Sequence, residues 1–157
     1  MRRTNSVGIT IYAIFIASIF FVLIFNTKPQ TITPANNEST YMFEMDGGTY
    51  DVAINVIITE DTAKAFRFVK ANVDSCFSAK NFINAEGLTI DGEKGICVWI
   101  KHIDPTPYNI CVVNHELFHV TSAIMRYIQV DLTPTTEEVY AYELDYLTKE
   151  FYNHLIK

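Results

Sequence analysis

Cysteine is scarce in this chain of 157 residues, and paired cysteine is absent. Cys76, Cys97 and Cys111 are the only three, and no two of them form a C-x-x-C pair. That excludes a cysteine-held zinc ribbon and a disulfide framework, which needs an even set of cysteines. In an oxidising compartment one disulfide could form and leave an odd thiol, and the spacing does not select the pair. Clusters of Lys and Arg are missing too. With Arg2 and Arg3 set aside, ten of the 12 basic residues face 18 acidic ones, a net of −8 (10 − 18). A domain so acidic, with no basic patch, is a poor nucleic-acid binder, and no such partner is expected. Internal repeats are also absent.

Charge is absent altogether from one long stretch. Val7 to Phe25 reads VGITIYAIFIASIFFVLIF, with only Thr10 and Ser18 clearly polar. Its length is close to the ~20 residues that an α-helix needs to cross a bilayer. Arg2 and Arg3 precede it, and basic residues tend to remain cytoplasmic. The expected layout is a cytoplasmic N-terminus over 1–6, a signal anchor over 7–25 and a domain facing the periplasm or the outside. A cleaved signal peptide fits less well, since its apolar core is usually shorter (~7–15 residues) and ends in an A-x-A-like site that is missing here. Residues 26–40, NTKPQTITPANNEST, hold almost no large apolar side chain and read as a flexible tether. Residues 41–157 form the folding part, which has room for about one domain.

Within that domain, Tyr41 to Met45 and Thr49 to Thr59 flank the turn Asp46-Gly47-Gly48. Val52, Ile54, Val56 and Ile58 alternate with less apolar neighbours, the period-2 pattern of a half-buried strand. Asp61 is placed to cap a helix reaching Val73, with Ala65, Phe66, Val69 and Val73 inward. Residues 74–85 carry no clear signal. Leu88 to Ile90 and Ile96 to Ile103 read as strands around the turn Asp91-Gly92-Glu93-Lys94-Gly95. Thr106-Pro107 is a helix start, with Thr as N-cap and Pro at the first helical position, and the pattern runs on to Val130. Thr133-Pro134 repeats that signal for a last helix ending near Ile156. The fold class is α+β, one mixed or antiparallel sheet covered by helices.

Histidine is rare as well, but two of the four fall in one helical turn, in the stretch NHELFHV from Asn114 to Val120. Positions i and i+4 share a helix face, so His115 and His119 project together and can grip one Zn²⁺. Glu116 lies about 100° around the helix, where it faces an attacking water rather than the ion. A carboxylate there can take the proton as the water attacks a carbonyl, which is the chemistry of H-E-x-x-H. A catalytic zinc normally has three protein ligands. Glu138, nineteen residues after His119, supplies a candidate at the start of the next helix, with Glu137 as a fallback. Glu138 also fits a capping box with Thr135, a purely structural role. Tyr142, one turn after Glu138, is the candidate donor to a developing oxyanion, with Tyr140 and His102 as others. Strand Ile96–Ile103 is the candidate edge for an extended substrate. Trp99 reads as core or rim, and His154 as a charge partner at a helix end.

The spacing H-E-x-x-H-x18-E resembles that of gluzincin metallopeptidases. The run HELFHV followed by TEEVYAYELDYL at Thr136–Leu147 is similar to short zincin-like proteins encoded by tailed phages and prophages. The likeness covers about 40 residues at the C-terminus; upstream it is one of layout. It implies a small zincin-like domain with His115, His119 and Glu138 as zinc ligands and Glu116 as the base. Where thermolysin-like enzymes place a carboxylate four residues after the third ligand, this chain has Tyr142. The function expected is that of a membrane-anchored zinc metallopeptidase acting on a peptide or protein substrate. The alternatives are a zincin-like module that binds metal and a protein partner without turnover, and a tethered structural protein with a chance motif.

Overall fold

The computed structural model describes residues 40–156. The N-terminus, the apolar run 7–25 and the tether as far as Ser39 lie outside the described residues. Among the described residues no helix is long and apolar enough to cross a membrane.

Nine elements follow one another: strand β1 (Tyr41–Asp46), a 3₁₀ turn (Gly48–Tyr50), strand β2 (Ala53–Ile58), helix α1 (Thr62–Asn72), a second 3₁₀ turn (Ala79–Phe82), strands β3 (Gly87–Gly92) and β4 (Gly95–Ile100), and helices α2 (Pro107–Tyr127) and α3 (Glu137–Leu155). The strands form one mixed sheet in the order β1-β2-β4-β3. β1 and β3 run antiparallel to their neighbours, while β2 and β4 are parallel, with Val56 opposite Val98. This is the α+β domain expected, with helices on both faces of the sheet.

Strand parity explains the layering. Ile54, Val56 and Ile58 of β2, with Ile96, Val98 and Ile100 of β4, point to one face. There they meet Val113, Leu117, Val120 and Ile124 of α2, and Leu147 and Phe151 of α3. Ile57, Ile90, Cys97 and Trp99 point to the other face, under Ala65 and Val69 of α1, together with Val73, Phe77 and Phe82. Because β4 is apolar at every position after Gly95, both of its sides can be buried. Trp99 is core, fully enclosed, and its indole N–H donates to the Thr59 carbonyl at 2.9 Å. The unassigned stretch 74–85 supplies the aromatic lid of this second cluster, with Phe82 edge-on to Trp99 at 4.8 Å.

The caps decide the helix ends. Asp61 accepts from the Lys64 N–H at 2.9 Å, and Thr106 accepts from the Asn109 N–H, as anticipated. α2 stops at Tyr127, short of the expected Val130, because Gln129 adopts a left-handed φ of 62°. The last helix begins at Glu137 rather than at Thr133-Pro134. The Thr136 hydroxyl turns back, accepting from the Thr133 N–H at 2.9 Å and donating to the Asp131 carbonyl, so residues 133–136 close a turn of their own first. The expected turn between β3 and β4 shrinks to Glu93-Lys94, followed by Gly95 at φ 142°, a conformation that glycine alone adopts freely. All three cysteines are free thiols: Cys76 and Cys111 are exposed, and burial pushes the Cys97 thiol up to about 12.

Candidate metal centre

α2 carries its apolar stripe on Val113, Leu117, Val120 and Ile124, which leaves His115 and His119 on its exposed side. Their rings meet edge to face, with centroids 4.6 Å apart, and their Nε2 atoms approach to 3.1 Å. This contact is a hydrogen bond between the two rings, and its length is also compatible with two nitrogens bound to one tetrahedral ion at ~2.0–2.1 Å, which stand roughly 3.3 Å apart. The i, i+4 spacing puts the two side chains on one helix face, and their rotamers bring the rings together.

Glu116 lies a further step around the helix, against β3, and is only 6 % exposed. The Thr89 hydroxyl lies 2.8 Å from Glu116 Oε2 and 2.9 Å from the Glu116 carbonyl oxygen. Gly87, two residues earlier on the same side of β3, has no side chain in the way. A Cβ there would stand 2.8 Å from Glu116 Cγ and 3.2 Å from Oε1. Beyond Thr89, Asp91 forms an exposed ion pair with Arg126 of α2 at 3.0 Å. These residues line a groove of about 360 Å³ between α2 and β3, with His115, Glu116, His119, Ser122 and Arg126 on one wall and Gly87, Leu88, Thr89 and Asp91 on the other.

No residue of α3 lines that groove. The topology gives the reason. α3 rests against α2, β1 and the Gly48–Tyr50 turn, while α2 also covers β4 and β3. Since β1 and β3 are opposite edges of the sheet, the His pair opens on the edge remote from α3. Helix phase acts in the same direction. Tyr140, Glu143, Leu147 and Phe151 form the buried stripe of α3, and Glu138 falls about 140–180° from it at 100° per residue. Glu138, Glu137 and Tyr142 are therefore exposed, Tyr142 to 71 %. Among the described residues no three His, Cys, Asp or Glu side chains converge as a metal site. The His pair fits two coordination positions of a zinc ion, and Glu138 does not fit the third.

The other expected donors are occupied elsewhere. The Tyr140 hydroxyl donates to the Val130 carbonyl at 2.8 Å and holds the α2–α3 connection. His102 stands between Asp104, at 3.3 Å, and Glu86, at 3.8 Å, in the loop after β4. His154 stacks on Phe43 at 4.6 Å, with its Nδ1 3.0 Å from the Glu150 carbonyl oxygen and 3.8 Å from the Glu150 carboxylate at the end of α3. β4 is not an edge for substrate, because it pairs with β2 on one side and β3 on the other; among the described residues the unpaired edge beside the groove belongs to β3. The residues missed by sequence reasoning are Gly87, Thr89, Asp91 and Arg126. Arg126 had a signal, since it lies seven residues after His119 on the same helical stripe. The β3 residues had only their shared strand parity.

Comparison with known protein families, with curated proteins and with solved structures finds no significant match to the chain.

Proposed function

We propose that the domain is a zinc-dependent peptidase of zincin-like type, tethered to a membrane by residues 7–25 and facing outward. The observation that carries this reading is the His115–His119 pair, with Nε2 atoms 3.1 Å apart, beside the buried carboxylate of Glu116. The groove adds support, because it lies beside the edge of β3 that pairs with no other strand among the described residues and could take an extended peptide. When bound, zinc supplies a Lewis acid that polarises a peptide carbonyl and makes water nucleophilic at neutral pH. His115 and His119 would supply two of its ligands. Glu116 would take the proton of the attacking water on Oε1, Oε2 being engaged by Thr89.

The test is zinc binding by the purified full-length protein in equilibrium dialysis, together with cleavage of a mixed peptide library. One zinc per chain, lost in His115→Ala and His119→Ala, and cleavage abolished in Glu116→Gln are expected. Failure of the wild-type protein to retain zinc against a weak chelator would end this reading. A second reading is favoured by the exposed position of Glu138: a zincin-like module that holds metal through the His pair and binds an envelope protein without turnover. Retained zinc with no peptide cleaved selects it.

A further inference from the structure

We infer that Thr89 is the positioning residue of this site, an assignment that rests on the peptidase reading above. Its hydroxyl has one hydrogen and stands within bonding distance of two acceptors on the same residue, Glu116 Oε2 and the Glu116 carbonyl. The strand therefore ties the carboxylate back onto the helical turn that presents His115 and His119. A glutamate side chain has three rotatable bonds, and a loose one would sample the groove in several orientations. With Oε2 held at 2.8 Å, Oε1 is the carboxylate oxygen left without a hydrogen bond among the described residues.

Gly87 is the second half of the device. Its missing side chain leaves the space that Glu116 Cγ fills, where a Cβ would approach to 2.8 Å. Strand parity allows no substitute nearby. Gly87, Thr89 and Asp91 face α2, whereas Leu88 and Ile90 pack into the aromatic cluster on the far side of the sheet. The base is thus set by β3 and the metal pair by α2, so the hydrogen bond between Thr89 and Glu116 registers one half of the site against the other.

The experiment compares Thr89→Val, which keeps the shape, with Thr89→Ser, which keeps the hydroxyl, in the full-length protein. Three quantities are measured: kcat and KM on a cleaved peptide, zinc affinity, and the ¹³C carboxyl resonance of Glu116, assigned through Glu116→Gln. Thr89→Val lowers kcat by about 10–100-fold, leaves KM and zinc affinity within about twofold, and moves the Glu116 resonance. Thr89→Ser restores kcat and the resonance. Wild-type kcat and an unmoved resonance in Thr89→Val would overturn the assignment, as would a serine variant no better than valine. If the wild-type protein cleaves nothing, the peptidase reading fails. The resonance then decides alone, and an unmoved signal in Thr89→Val still removes Thr89 from its role.

Discussion

Replacing Glu143 with leucine is expected to make the domain more stable at neutral pH. Glu143 lies on the buried stripe of α3, 8 % exposed, between the helix and the end of β1. Its Oε1 is shut away from water and has no hydrogen-bond partner. Burial pushes its carboxyl above the ordinary carboxylate range, and the negative charge of Asp46 pushes in the same direction. An unpaired buried acceptor costs about 1–3 kcal/mol, and leucine removes it while extending the apolar contact of neighbouring Leu147. Allowing for imperfect shape, the net gain is about 1–2 kcal/mol at pH 7.5, or roughly 4–8 °C in Tm for a domain of this size. The pH dependence follows from the direction of the shift. With the folded pKa above the unfolded one, the native state binds the extra proton, so stability falls as pH rises from the ordinary carboxylate value through the native one. The penalty is complete above that window and absent below it. The advantage of Glu143→Leu therefore shrinks as pH is lowered to about 4, and Glu143→Gln loses the same pH slope. Urea denaturation followed by circular dichroism at both pH values measures this. A leucine variant less stable than wild type at pH 7.5, or equally advantaged at both, would refute the reasoning.

Two further predictions concern the two cores. Phe151 is fully buried where α3 meets the sheet, so Phe151→Ala costs about 3–5 kcal/mol in urea denaturation, and a loss under 1 kcal/mol would contradict the packing described. Of the three thiols, only Cys76 and Cys111 react quickly with a water-soluble thiol reagent at pH 8, because Cys97 is buried and its thiol is held up near 12; in denaturant all three react.

Much of this fold was legible before any coordinates, wherever the signal was local. Asp61 and Thr106-Pro107 start helices because a side-chain oxygen needs only the next turn's N–H to act. The alternation at Ile54, Val56 and Ile58 marks a buried strand face for the same short-range reason. Thr133-Pro134 misled because three neighbouring threonines compete for the same carbonyls and amides, and the Thr136 hydroxyl turned backward instead of leaving Thr133 to cap. The central position of β4 was not legible. Its uniform apolarity says that both faces are covered, but not which strands flank it.

The sequence by itself determined the His pair and its bite, since i, i+4 spacing on a helix leaves little for the rest of the molecule to choose. It also placed Glu116 about 100° around the helix from His115. Only the tertiary structure decided what Glu116 points at. The order β1-β2-β4-β3 puts β3 beside α2, and with it Thr89 and the space at Gly87. The same order sends α3 to the opposite edge, and the apolar phase of Tyr140, Leu147 and Phe151 turns Glu138 to solvent. Spacing along a chain counts residues between two helices. It does not fix which flank of the first helix the second will cover, because that choice belongs to the hydrophobic faces that must be buried together.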